Sequence, residues 1–357
     1  MQVHPKQLVP GCIVLEPVIG KSDHPIIESN TVIEEHHIKL LKNFGISTVE
    51  VSSKLVTGLD FQPEKIGEKQ LEKKREEMAF ERLYLKAVKH YKQFFTNWQT
   101  GVSINIQELT TLMTPLFELV DKITLDLFLL YEYASKKDYF YHHGISIALI
   151  SAYLAKKLGY KEEWDKVGLA GLLADCGMAK LNPAFLHRED KLTVEEYDEV
   201  KHHPRLSYRL VEHITSLSED VKLGIIQHHE RGDGSGYPLG VKGDEIHLYA
   251  KIIAITDTYH AMTSERLYRR KQSPFKVVEE MLKLSQHKLD ATILQVFVDS
   301  FFYYSIGTRV LLSNGKEALI VSIKRDTPVR PVVQLVEDAK IISLKDKPTL
   351  FIEKILK

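Results

Sequence analysis

Histidine and aspartate recur inside stretches that otherwise read as apolar helix. Ten of the 16 histidines lie between residues 142 and 260. His143 opens the apolar run GISIALIS, and His203 stands before a proline in EVKHHPRLS. His228 and His229 end a run carrying Leu223, Ile225 and Ile226. Two carboxylates share this setting, Asp175 in GLLADCGMAK and Asp257 in AKIIAITDTYHAM. A carboxylate buried without a partner is costly, so each acid must be hydrogen-bonded, paired with a cation or bound to metal. Adjacent helical residues point about 100° apart, so His228 and His229 converge on one centre only near a helix end or from a buried helix. A Gly-rich turn, RGDGSGYP, follows them at once. One buried histidine is usually a hydrogen-bonded core residue. Two acids with at least four imidazoles in one region shift the balance toward a metal site. Imidazole with carboxylate suits Zn, Fe, Mn or Ni, and the lack of a cysteine pair argues against structural zinc. A carboxylate such as Asp175 also has the chemistry to bridge two ions about 3.5–4 Å apart, as a two-metal hydrolase requires.

Helices must position these residues. From Ile104 to about Leu294, apolar side chains recur at three- and four-residue spacing through 116–133, 143–158, 165–174, 206–214, 220–229, 249–262 and 275–284. The ends of the chain read differently. LVPGCIVLEPVIG and ISTVEVSS carry β-branched residues bounded by Gly, Pro and Ser, with a helical pattern, IEEHHIKLLKNFG, between them. In the tail, RVLLSNGKEALIVSIKR reads as a hairpin turning at Ser313-Asn314-Gly315, and VRPVVQLVE follows. The stretch from Pro63 to Phe95 is dense in Lys and Glu, which predicts a solvated helix that links modules or faces a partner. The expected organisation is mainly α. A small α/β module occupies 1–60, a charged helical linker 61–118, an all-helical domain 119–300 and a β-rich extension 301–357.

Composition sets outer bounds. At 357 residues, 44% hydrophobic and 27% charged, the chain is an ordinary globular one. Forty-eight basic residues balance 48 acidic ones, so charge points to neither nucleic acid nor a membrane surface. Cys12 and Cys176 suit a reducing compartment and form no disulfide framework. Cys176, beside Asp175, reads as a small core residue. MQVHPKQLVPG lacks the apolar segment of a secretory signal, and no apolar run spans a membrane. The expected location is cytoplasmic.

Together, DYFYHHGIS, LLADCG, KHHP, HHERGDGSGYP and AKIIAITDTYHAMTSERLYR resemble, in order and spacing, the HD-GYP family of bacterial cyclic di-GMP phosphodiesterases, a branch of the HD hydrolases. The resemblance covers roughly residues 119 to 300 and is most specific from His228 to Pro238, where the signature segment is intact. It implies an all-helical HD-type domain with His143, Asp175, His203, His228, His229 and Asp257 as metal ligands. Asp175 would bridge two ions and carry the catalysis. His203, His228 and His229 would complete one site, and His143 and Asp257 would serve the other. Arg266 and Arg269 match positions expected to hold substrate phosphates, a task suited to guanidinium. Tyr237 would pack beside the nucleotide.

Two departures fall on chemistry. The family carries His before Asp175 and Lys three residues after it, where this chain has Ala174 and Met178. Loss of even an outer-shell partner typically costs about 10- to 100-fold in metal affinity or activity. Acid or electrostatic help from such a cation is worth on the order of 10²–10⁴ in rate. Ala and Met are good helix formers that pack quietly in a core. His142 and His260 are the nearest candidates for a replacement, and a ligand must come within about 2.1 Å of the ion. The resemblance with these departures implies a cyclic di-GMP signalling protein holding one or two divalent ions (Fe, Mn, Ni or Zn), with weak or no hydrolysis. A working metal-dependent phosphodiesterase giving pGpG or GMP is the second reading. A docking adaptor, acting through the Gly-Tyr-Pro loop or the charged helix 63–95 and open to oligomerisation, is the third. No nucleic-acid or membrane partner is expected.

Overall fold

The computed structural model describes residues 1–356 except 20–24, 45, 64–65, 123–124, 187–189, 267–270, 286 and 325–326; the side chains of 43, 66–77 and 304 also lie outside the description. Two compact units result, Met1–Met78 with Ser305–Lys357, and Ala79–Tyr304.

In the first unit, β1 (Gln2–Val3) pairs antiparallel with β4 (Val49–Glu50), and β2 (Val18–Ile19) pairs with β3 (Pro25–Ile27). With helix α1 (Glu35–Asn43), these short elements enclose Cys12, Val14, Ile33, Leu41 and Val51. The tail forms an antiparallel sheet from β5 (Arg309–Leu312), β6 (Glu317–Ser322), β7 (Val332–Leu335), β8 (Ile341–Ser343) and β9 (Ile352–Leu356), in the order β8-β7-β6-β5-β9. Its hairpin pairs Val310 with Ala318, both buried. Alternate residues therefore face one core, as a half-buried sheet requires.

The second unit is helical. It holds α2 (Ile66–Gln99) from Ala79 onward, α3 (Ile106–Phe117), α4 (Leu125–Phe128), α5 (Tyr139–Lys157), α6 (Trp164–Leu173), α7 (Val194–Val200), α8 (His203–Val211), α9 (Glu219–Gln227), α10 (Leu248–Thr263), α11 (Pro274–Leu284) and α12 (Ala291–Ser305). Helix α5 packs on α6 and α10, and α10 packs on α9 and α11. Both α5 and α10 are buried on nearly every side, which explains why their sequences are apolar all round. On α2, Phe80, Tyr84, Val88, Tyr91 and Phe95 recur at helical spacing and are buried. From Phe80 onward this charged helix therefore carries one packed face. Tyr91 also donates its hydroxyl to the Leu172 carbonyl at 2.8 Å. No helix among the described residues is long and apolar enough to cross a membrane. The chain is mainly α, an all-helical body with small β-containing segments at both ends.

Candidate functional site

Helix α6 stops at Leu173, and Asp175 sits in the break before a 3₁₀ turn at Cys176–Lys180. Ser207 of α8 staples this break, donating its hydroxyl to the Ala174 carbonyl at 2.6 Å and accepting from the Gly177 N–H at 2.8 Å. A side chain at Gly177 would place its Cβ 2.3 Å from the His203 carbonyl oxygen and the Ser207 nitrogen, so only glycine fits there. The close approach carries Asp175 to His203, the first residue of α8. Pro204 follows in the first helical turn, where an N–H needs no helical partner. Helix α9 ends at Gln227, which frees His228 and His229 to turn toward the same point. The loop beyond them folds back so tightly that a Cβ on Gly236 would lie 2.4 Å from the Arg231 nitrogen. Glu230, 2% exposed, holds the loop's exit by accepting from the N–H groups of Leu239 at 2.6 Å and Gly240 at 3.1 Å.

Asp175 Oδ1 lies 3.1 Å from His203 Nε2 and 3.6 Å from His228 Nε2, and the two nitrogens are 3.2 Å apart. Each ring places Nδ1 2.7 Å from a backbone carbonyl, that of Val200 for His203 and of Ile225 for His228. An Nδ1–H committed to a carbonyl leaves Nε2 with a lone pair. Two nitrogen lone pairs and a carboxylate oxygen thus face one point, and only a cation or an added proton reconciles them. With His229, donor atoms of these four residues all lie within 4.8 Å of one another. Their nitrogen and oxygen chemistry fits a divalent transition-metal ion.

The other half of the cluster is arranged differently. His143 Nε2 stands 3.1 Å from Asp257 Oδ1 and 3.7 Å from Asp175 Oδ2. His229 Nδ1 is 3.7 Å from Asp257 Oδ2. His143 Nδ1 meets His260 Nδ1 at 2.9 Å. Burial pushes the Asp175 carboxyl up, but the His203 and His228 rings beside it outweigh that and hold the group well below its ordinary value. Asp257 is depressed in the same way, burial being outweighed by His143 and His229. Burial, reinforced by neighbouring imidazoles, holds His229 and His260 well below the usual histidine value, so both are neutral near pH 7. The Cys176 thiol is pushed up to about 12, chiefly by burial, and is therefore inert.

A cleft of about 820 Å³ opens over these groups. Asp175, His143, His203, His229 and Asp257 form part of its wall, and Met178 stands among them. Ala174 is fully buried. Tyr237 lies against His229 with ring centroids 4.7 Å apart. Arg266 places its guanidinium 4.4 Å over the Tyr139 ring, which itself stacks on His143 at 5.0 Å. Lys136, Lys191, Lys201, Arg231 and Lys288 add positive charge to the lining. Cations with aromatic faces suit an anionic ligand that carries rings. Arg269 lies outside the described residues. Sequence reasoning gave no structural role to Ser207 or Glu230, and it considered His260 only as a ligand. An acid placed directly between two histidines and a Gly-rich turn was the one available signal for Glu230.

Residues 123–293 match the HD domain model, and residues 309–357 match a KOW domain associated with HD domain. A cyclic di-GMP phosphodiesterase of Pseudomonas aeruginosa is 29% identical over 204 residues, 57% of this chain and 49% of that protein. The 3'3'-cGAMP-specific phosphodiesterase 1 of Vibrio cholerae is 32% identical over 180 residues, 48% of this chain and 41% of that protein. A solved HDG"Y"P protein from Bdellovibrio bacteriovorus has a TM-score of 0.45 at 15% identity, covering 83% of this chain and 97% of that one. The chain spans about half the length, or less, of these two curated relatives. On this match and the intact segment from His228 to Pro238, residues 123–293 form an HD domain of the HD-GYP branch.

Proposed function

We propose that this protein binds cyclic di-GMP in the cleft above a single divalent ion held by Asp175, His203, His228 and His229, and hydrolyses it weakly or not at all. The observation that carries this reading is the inequality of the two halves of the cluster. His203 and His228 present facing lone pairs 3.2 Å apart, whereas His143 is already paired with Asp257 at 3.1 Å. When bound, such an ion supplies Lewis-acid charge at a phosphate oxygen. Arg266 would hold a second phosphate, with Arg269 beside it in sequence. Tyr237 would cover a base, and Lys201 and Lys288 would balance the remaining charge. Where a cation at position 178 would donate to the reacting phosphate, Met178 offers no proton and no charge. Binding would survive this loss better than turnover, because the lost interaction matters most as charge develops.

A working phosphodiesterase is the second reading. It is favoured by the retention of His143 and Asp257 within 3.7 Å of the donors they would share an ion with. The named relatives act on cyclic di-GMP and 3'3'-cGAMP, so both nucleotides belong in the test. Protein loaded with Mn²⁺ is incubated with each nucleotide, then separated from free ligand and analysed by chromatography. The lead reading expects intact cyclic di-GMP bound to wild type and lost from Asp175→Ala. Multiple turnovers to pGpG or GMP would establish the second reading. No binding of either nucleotide would overturn both.

A further inference from the structure

A metal-ligating histidine usually donates its other ring N–H to a carboxylate, a carbonyl or water, and this fixes its tautomer. His203 and His228 follow that rule, each with Nδ1 2.7 Å from a carbonyl. His143 departs from it, because its Nδ1 faces another ring nitrogen, His260 Nδ1, at 2.9 Å. His260 is 1% exposed and lies on α10, one turn beyond Asp257. Ser264 Oγ stands beside the same ring, 3.2 Å from Nδ1.

With both rings neutral, each carries one N–H, and two facing Nδ1 atoms then share one proton between them. If that proton is on His143, its bare Nε2 is aimed at the Asp257 carboxylate 3.1 Å away, lone pair against lone pair. If it is on His260, His143 keeps its own proton on Nε2 and donates it to Asp257. The second arrangement satisfies both contacts with no ion present.

The geometry points to His260 as a positioning residue that donates to His143 Nδ1, keeps the His143 Nε2–H on Asp257 and so closes this half of the cluster to a second ion. The inference rests on the reading that Asp175, His203, His228 and His229 hold the first. It also gives a reason, independent of Ala174, why the cluster would be a one-ion site.

An Asp at position 260 sets an oxygen near the place of Nδ1 and, when ionised, only accepts. It would take the proton of His143 Nδ1 and bare Nε2, creating a demand for an ion. The test counts Mn²⁺ ions per chain by elemental mass spectrometry on the full-length protein after loading and desalting. The expected counts are one for wild type, two for His260→Asp, and one for His260→Asp combined with His143→Ala. No ion on wild type would overturn the one-ion reading and this inference with it. Two ions on wild type, or one on a His260→Asp protein with a wild-type circular dichroism spectrum, would overturn the inference alone. If His260→Asp does not fold, the ¹⁵N-histidine spectrum of the ion-free wild type decides. An Nε2–H tautomer at His143 upholds the inference, and an Nδ1–H tautomer overturns it.

Discussion

Glu230 carries a charge that never reaches the cleft chemistry directly. Its carboxylate is buried and accepts three contacts from the N–H groups of Leu239 and Gly240, and so fixes the loop that sets Tyr237 over His229. Replacing it with Gln turns an acceptor-only group into one that, with its oxygen kept at the Oε1 position, points an NH₂ at the Gly240 N–H. Hydrogen bonds to a buried charge contribute about 1.5–3 kcal/mol. We therefore predict that Glu230→Gln lowers the melting temperature by about 3–10 °C, with faster hydrogen exchange at the Leu239 and Gly240 amides. An unchanged melting temperature would show that the loop is held by other contacts. Asp175, His203, His228, His229, Asp257 and His143 were conspicuous in the sequence because a polar group in an apolar helix has to find a partner. Ser207 and Glu230 were not, because their roles arise from where backbone N–H and carbonyl groups come to lie.

Helix junctions set the site at the next scale. The Gly177 contact brings the turn after α6 onto the start of α8, and with it Asp175 onto His203. Gly177→Ala must push these two backbones apart, at a cost of about 1–3 kcal/mol. The expected result is a lower urea midpoint together with a loss of about 10- to 100-fold in Mn²⁺ affinity. A loss of stability with unchanged affinity would detach the contact from the site. A second junction joins α2 to α5, where Tyr84 meets His142 Nδ1 at 3.1 Å. Burial lowers His142 from 6.5 to about 4, against an opposing pull from Asp138. Between those values the unfolded chain binds a proton that the folded protein does not. Stability present above pH 6.5 is therefore lost as pH falls toward 4, at up to about 1.4 kcal/mol per pH unit. In urea unfolding of the metal-free protein at pH 7 and pH 5, we predict that His142→Gln narrows the gap between the two pH values by about 1–2 kcal/mol. An unchanged gap would assign the pH dependence to other groups. The packed face of α2 was hard to read because Lys and Glu crowd the helix around its buried aromatics. Helices α5, α6, α8, α9 and α10 were legible because their apolar residues keep helical spacing, whereas α7, VEEYDEV with no buried residue, was not.

At the scale of the whole molecule, the segment matching the HD domain model, 123–293, is followed by the segment matching the KOW model, 309–357. The strands of the tail were readable from alternation and a Ser-Asn-Gly turn. The grouping of Met1–Met78 with Ser305–Lys357 was not, since nothing local in sequence announces contacts between segments more than two hundred residues apart. The proposed function turns on Ala174 and Met178, which put neither a ligand nor a cation beside Asp175. Its most direct test is cyclic di-GMP hydrolysis by wild type and by the Ala174→His/Met178→Lys double variant, with the Mn²⁺ content of each measured on the same samples. The expected result is a wild type with little or no turnover and a double variant faster by at least about 10²-fold. A wild type that already turns over freely, unchanged by the double substitution, would show that Ala174 and Met178 cost the site nothing.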